Sequence, residues 1–196
     1  MATEKKSNKI LIYAVVIIVL AIVVFFFAGG KSFINIGGSS GGSGSASAPG
    51  ETREWMNFEL TDVATGEIFK ISDFAGKPIL LESFAVWCPT CTKQQKEIKG
   101  LHDEVGDSVI SISLDTDPSE DEDRIRSHIN ANDFTWYYAI SPIDMTQSLI
   151  DEFGVSIVSA PTAPMILICE DGSFRKLGGF GARSVDKLKS EIAKGC

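Results

Sequence analysis

Hydrophobic and polar positions divide the chain into three stretches. Residues 10–28 are nineteen uncharged, almost wholly apolar residues in one unbroken run. As a helix rising 1.5 Å per residue they cover about 28 Å, close to the hydrocarbon thickness of a bilayer, and so predict one transmembrane anchor. Residues 29–50 turn to Gly, Ser and Ala, which cannot bury a core and predict a flexible tether with an r.m.s. span of about 25 Å. From residue 51 onward short apolar runs alternate with amphipathic stretches, the pattern of an α/β domain.

Within 51–196, residues 57–62 and 67–71 flank Ala64-Thr65-Gly66 and predict an antiparallel hairpin. The run 78–86 reads as a buried strand and 92–105 as a helix, followed by an alternating strand over 108–114. Ser119-Glu120-Asp121-Glu122 has capping-box spacing ahead of a helix ending near Asn132. These elements make a β-α-β unit, so a parallel pair of strands is expected. Residues 134–140 predict a short strand in a central insertion, and 145–153 a helix stopped by Gly154. Residues 165–169 and 174–177 form a second hairpin across Asp171-Gly172, and 184–194 a closing helix. The predicted class is an α/β three-layer sandwich with an N-terminal hairpin, preceded by one transmembrane helix.

The chemistry sits where the first core strand meets its helix, at Trp87-Cys88-Pro89-Thr90-Cys91. Two thiols two residues apart form a reversible dithiol/disulfide couple. Backbone N–H groups and the positive end of the helix dipole favour a thiolate at Cys88, making it the attacking nucleophile. Cys91, one turn into the helix, is placed to resolve a mixed disulfide formed at Cys88. Pro89 suits the first turn, where its missing N–H has no intrahelical partner. Zinc needs four ligands, and Cys169, Cys196, His102 and His128 supply no second pair at ligand spacing, so no metal is expected. A purely structural disulfide over so short a loop removes little unfolded-state entropy. Cys169, in a predicted buried strand, reads as an inert small hydrophobe, and Cys196 as an exposed thiol open to adventitious intermolecular pairing. His102 and His128 read as surface residues of helices. Trp136-Tyr137-Tyr138 reads as core and strand surface.

The segment from Gly76-Lys77-Pro78 through Cys91 resembles the active-site region of thioredoxin-fold proteins, particularly the membrane-anchored thiol-disulfide oxidoreductases of the TlpA/ResA group, and the likeness extends over most of 51–196. The resemblance implies a buried acid six residues before the first cysteine, which is Glu82 here, relaying the resolving thiol's proton. It also implies a cis-proline opposite the dithiol. Pro161 and Pro164 are the candidates, and Pro164 fits the distance to the turn at Gly172. A cis bond there would leave backbone groups near Ala163 free to pair with a substrate strand beside Cys88. Trp87, Pro89, Thr90, Ala163 and Pro164 are thus the expected substrate-binding residues, and no cofactor is expected beyond the Cys88–Cys91 disulfide.

Charge and flanks place the site. Residues 51–196 carry 14 Lys+Arg against 25 Asp+Glu, a net charge of -11, which excludes nucleic acid as an expected partner. Lys5, Lys6 and Lys9 precede the apolar run and only Lys31 follows closely. The positive-inside rule then puts residues 1–9 in the cytoplasm and the domain outside a cell membrane crossed once. A cleaved signal peptide fits less well, because the run exceeds the usual apolar region and Ala46-Ser47-Ala48 lies far beyond it. The resemblance implies protein thiols and disulfides as substrates, including apocytochrome c or copper-site proteins, with electrons from a CcdA-like or DsbD-like membrane protein. Pro-Thr between the cysteines lacks the histidine of strong oxidants, which favours a reductant over a disulfide-forming oxidant. A Sco-like copper chaperone and a peroxiredoxin-type peroxidase are the alternatives from other classes. The first uses C-x-x-x-C with a distal histidine and the second a P-x-x-x-T-x-x-C pattern, neither of which is present.

Overall fold

The computed structural model describes residues 53–196; the anchor, the tether and the cytoplasmic tail read over residues 1–50 lie outside the described residues. No helix among the described residues is long and apolar enough to cross a membrane. The apolar run after Pro78 becomes strand β3 (Ile79–Phe84), with all six side chains buried. A strand covered on both faces needs a layer of structure on each side, and the rest of the domain supplies them.

Two short strands, β1 (Leu60–Thr61) and β2 (Ile68–Phe69), form the N-terminal hairpin. The main sheet runs in the order β5–β4–β3–β6–β7, with β4 at Ile110–Asp115, β5 at Tyr137–Ile140, β6 at Met165–Ile168 and β7 at Phe174–Lys176. β3, β4 and β5 are parallel, as the β-α-β reading requires, and β6 and β7 return antiparallel. Helices α1 (Pro89–Val105) and α2 (Glu122–Asn132) are the two crossovers. With α4 (Val185–Lys194) they cover the face bearing Leu80, Phe84, Tyr138 and Leu167. Helix α3 (Ile143–Phe153), the hairpin and Trp55 cover the opposite face, packing on Leu81, Ile112 and Ile166. The outer edge of β5 is closed by the hairpin's end: the Tyr138 N–H donates to Asp62 Oδ1 (3.0 Å) and the Val63 N–H to the Tyr138 carbonyl (2.7 Å). A sheet edge so occupied is no longer a template for another strand.

Several local expectations are corrected. Helix α1 starts three residues early, at Pro89, because Cys88 itself is the N-cap. Asp121, not Ser119, caps α2, its carboxylate accepting from the Arg124 N–H. Cys169 and Cys196 are neither inert nor adventitious, since they form a disulfide with each other, fastening the end of α4 to the end of β6. Nor are the histidines plain surface residues. His128 is only 9 % exposed, and His102 lies flat on Trp136 while its Nε2 meets Ser111 Oγ at 2.9 Å.

Candidate active site

β3 delivers its last residues to the N-terminus of α1, and the turn between them places both cysteines. Cys88 and Cys91 are free thiols, 0 % and 1 % exposed. The Cys91 N–H donates to Cys88 Sγ at 3.1 Å, so an amide of the helix's first turn is aimed at that sulfur. No acidic residue occupies the first turn, and the positive end of the helix therefore acts on Cys88 unopposed. Both thiols donate to one carbonyl, that of Ala160, Cys88 Sγ at 3.3 Å and Cys91 Sγ at 3.1 Å. Burial, and next the neighbouring Cys88 thiol, push the Cys91 thiol well above its ordinary range. Cys91 thus needs a base to lose its proton at neutral pH.

Glu82 is the acid beside it. It points to the same face of the sheet as Leu80 and Phe84, is 1 % exposed, and is pushed up to about 7 by burial, with Ser113 and Gln95 acting in the opposite sense. Its Oε1 accepts from Ser113 Oγ at 2.6 Å, and Ser113 Oγ in turn accepts from Trp136 Nε1 at 2.8 Å. The carboxylate also raises Cys91 through space, as the smallest of the influences on that thiol.

Trp87 is 55 % exposed beside Cys88, its Nε1 donating to Asp117 Oδ2 at 2.6 Å. The Val86 N–H donates to Glu120 Oε2 at 2.6 Å. The loop between β4 and α2 therefore holds the two residues before Cys88 by side chain and backbone. Pro89 is exposed and Thr90 half-buried on the first turn of α1. A cleft of about 320 Å³ opens next to Ala85, between Trp87, Asp117, Pro118, Ala160 and Pro161. A larger cavity of about 680 Å³ lies at the other end of β3 and β4, against Lys77, His102 and Trp136, and holds neither cysteine.

The expected cis bond before Pro164 is absent, because every peptide bond among the described residues is trans. The chain is turned into β6 by Ala163 instead, in the left-handed region at φ 46° and ψ 61°. Nor are the Ala163 backbone groups free. Its N–H donates to the Ala160 carbonyl at 2.8 Å, and its carbonyl accepts from Arg183 Nη1 at 2.9 Å. The buried Pro164 passes its carbonyl to the Ser83 N–H (3.2 Å). Arg183 is a buried cation whose Nη2 also donates to the Leu177 and Gly178 carbonyls, while its backbone is gripped by the Gln94 amide at both N–H and carbonyl. Ala160, Gln94, Gln95, Glu120 and Arg183 were not singled out in the sequence. Only the glutamines carried a local signal, being polar at the i+3 and i+4 positions from Cys91 in a stripe that continues with the buried Ile98.

A dithiol capping a helix, beside a mixed sheet with helices on both faces, defines a thioredoxin-fold domain with a C-x-x-C site. The chain belongs to the Redoxin family, whose profile matches residues 49–182. Thiol-disulfide oxidoreductase ResA of Bacillus thuringiensis (strain Al Hakam) is 27 % identical over 121 residues, covering 61 % of this chain and 64 % of that protein. The thioredoxin-like protein YneN of Bacillus subtilis is 27 % identical over 117 residues, covering 57 % and 62 %. The chain thus spans less than two thirds of the length of these curated relatives. Among solved structures, a secreted Mycobacterium tuberculosis disulfide oxidoreductase homologous to E. coli DsbE superposes with a TM-score of 0.57 at 18 % identity, over 73 % of this chain and 99 % of that one. StoA from Bacillus subtilis gives 0.52 at 22 %, over 68 % and 93 %. These structural likenesses speak to the fold.

Proposed function

We infer that this protein is a thiol-disulfide oxidoreductase that reduces disulfides in other proteins. The observation that carries the reading is the convergence of Cys88 and Cys91 on the Ala160 carbonyl, at a helix N-terminus, next to a buried carboxyl that titrates near neutrality. In the first step the Cys88 thiolate attacks one sulfur of a substrate disulfide, and the other substrate sulfur leaves as a thiolate. Glu82 then takes the Cys91 proton, and Cys91 attacks Cys88 Sγ in the mixed disulfide. The second substrate sulfur leaves, and the enzyme is left with a Cys88–Cys91 disulfide: two electrons have passed to the substrate. A base near pH 7 is matched to that proton transfer, and the high proton affinity of Cys91 is what makes the base necessary. Trp87, Pro89, Thr90 and the cleft beside Pro161 form the surface met by the substrate segment, with Ala163 and Pro164 shaping it from beneath.

We place this chemistry outside a cell membrane. The apolar run 10–28, with lysines before it, supports a single anchor with its N-terminus in the cytoplasm. The Cys169–Cys196 disulfide supports an oxidising compartment. In such a compartment a reductant needs an electron supply, in keeping with a CcdA-like or DsbD-like membrane donor, and apocytochrome c or copper-site proteins are suitable acceptors.

The deciding experiment equilibrates the full chain with glutathione buffers, traps free thiols by alkylation, and reads the Cys88-Cys91 peptide by mass spectrometry. A potential near or below about -250 mV marks a reductant, and one above about -150 mV would make the protein a disulfide donor instead. Without any reversible two-electron couple at these cysteines, the redox reading fails.

A further inference from the structure

Beneath the dithiol, a short line of polar side chains leads from Glu82 toward the surface, and the reaction outlined above uses only its inner end. The two ends of the Glu82 carboxyl are not equivalent. Trp136 Nε1 can only donate, so it occupies a lone pair of Ser113 Oγ, and the Ser113 hydroxyl must give its own proton to Glu82 Oε1. The proton that Glu82 gains and loses therefore belongs to Oε2. Gln95, 0 % exposed on α1, is close enough to lower the proton affinity of the carboxyl. Yet neither Glu82 Oε2 nor Gln95 Nε2 makes a hydrogen bond of standard geometry. The orientation of Gln95 is set from its other end, where His128 Nε2 meets Gln95 Oε1 at 2.6 Å. A side-chain amide oxygen only accepts, so His128 carries its proton on Nε2, and the Gln95 NH2 is left turned inward. The His128 ring is itself fixed, stacked on Phe84 on one side and against the edge of Phe134 on the other.

Resting on the reading of Glu82 as the base for Cys91, we propose that His128 and Gln95 are positioning residues for that proton transfer, forming a relay His128→Gln95→Glu82 that offers an N–H donor to Oε2 when it is ionised. Burying an amide N–H without a partner is costly. A carboxylate at Oε2 accepts that N–H far more strongly than a protonated carboxyl does, so the relay biases Glu82 toward its basic form. The other titratable groups facing Glu82 are Cys91 from α1 and Tyr138 from β5, both pushed up by burial and by the carboxylate itself. Both keep their protons at neutral pH in the resting protein, so neither adds a second titration to the Glu82 midpoint. Burial pushes the His128 imidazole down, disfavouring its charged form, so it acts through its fixed N–H and not through charge.

The test follows the Glu82 carboxyl directly, by 13C NMR of the full chain with labelled glutamate carboxyls, its signal assigned with Glu82→Gln. Gln95→Leu removes the inward donor, and the Glu82 midpoint is expected to move up by about one pH unit. Below both midpoints that is about a tenfold smaller basic fraction, read as a matching slowing of mixed-disulfide resolution. His128→Phe frees the amide to turn and moves the midpoint the same way by a smaller amount. A folded Gln95→Leu protein with an unmoved midpoint overturns the relay, and movement in Gln95→Leu but not in His128→Phe overturns the part given to His128. The 15N spectrum of His128 in the unaltered protein decides independently of how the variants fold: protonated Nε2 with bare Nδ1 supports the relay, and the opposite tautomer overturns it. Should Cys88 and Cys91 prove to have no reversible couple, the carboxyl titration still judges the relay on its own.

Discussion

Replacing Cys169 and Cys196 together by alanine should destabilise the fold far more than its chemistry. The disulfide closes a loop of 27 residues spanning the turn at Gly172, β7 and all of α4. Constraining such a loop in the unfolded chain is worth about 3.5 kcal/mol in the loop-entropy account. For a domain of about 150 residues that corresponds to a fall in Tm of about 10 °C. The loss should concentrate in α4, which otherwise rests on Leu188, on the Arg175–Glu191 ion pair at 2.8 Å, and on the Arg175 Nε bond to the Gly195 carbonyl. Differential scanning calorimetry of the oxidised full chain and the double variant gives the first number, and amide hydrogen exchange gives the second. The site should be spared, because the disulfide lies beyond Ile168, which pairs with Ile79, whereas Met165 at the other end of β6 pairs with Glu82. The Cys88–Cys91 potential should accordingly be unchanged. Equal Tm values within about 2 °C, or free thiols at both positions in the native oxidised protein, would refute the reasoning.

Three further outcomes are expected. Stability should fall as pH rises from about 5 to 8, because the folded protein keeps protons that the unfolded chain releases: burial pushes Glu82 from 4.5 up to about 7, and Asp115 from 3.8 up to about 7, against the Asp117 N–H that donates to it and with the Glu120 and Asp117 carboxylates adding to it. The fully buried Glu82 alone is worth about 3 kcal/mol across that window, so Glu82→Gln should flatten the profile of urea midpoint against pH and be more stable than the parent at pH 8; an unchanged slope contradicts the burial argument. Arg183→Leu leaves the Ala163, Leu177 and Gly178 carbonyls without their charged donor and should cost about 3 kcal/mol while slowing thiol exchange, whereas equal stability would mean that water replaces the guanidinium. Asp117→Ala should release the Trp87 indole and change its fluorescence with less than about 1 kcal/mol lost, since the pair is solvent-exposed; a larger loss on chemical denaturation would show that the contact holds the loop.

What the sequence disclosed about this site depended on how far apart along the chain the cooperating atoms lie. Cys88, Cys91, Pro89 and the start of α1 form one local unit, and capping chemistry and strand-to-helix patterning locate it within three residues. Glu82 is marked by the resemblance to thioredoxin-fold proteins, and the cost of a carboxylate in an apolar strand agrees with it. The Cys169–Cys196 pairing was illegible because the approach of β6 to the end of α4 is set by packing on Leu188 and Leu167, not by any spacing. The left-handed turn at Ala163 escaped notice for a similar reason: Arg183, twenty residues on, helps hold it through the Ala163 carbonyl, so a proline in the right place pointed to the reversal without revealing how it is made. His128 is the instructive failure, because its signal was present. It lies three residues after Ile125 and one before Ile129, inside the apolar stripe of α2, and a polar side chain in such a stripe is bought inward only with a partner waiting. That partner, Gln95, breaks the stripe of α1 in the same way. Two interruptions on neighbouring crossover helices, both packed on the sheet face that carries a buried acid, mark a polar path through the core, and the pattern is readable in sequence once the acid is known to face the helices.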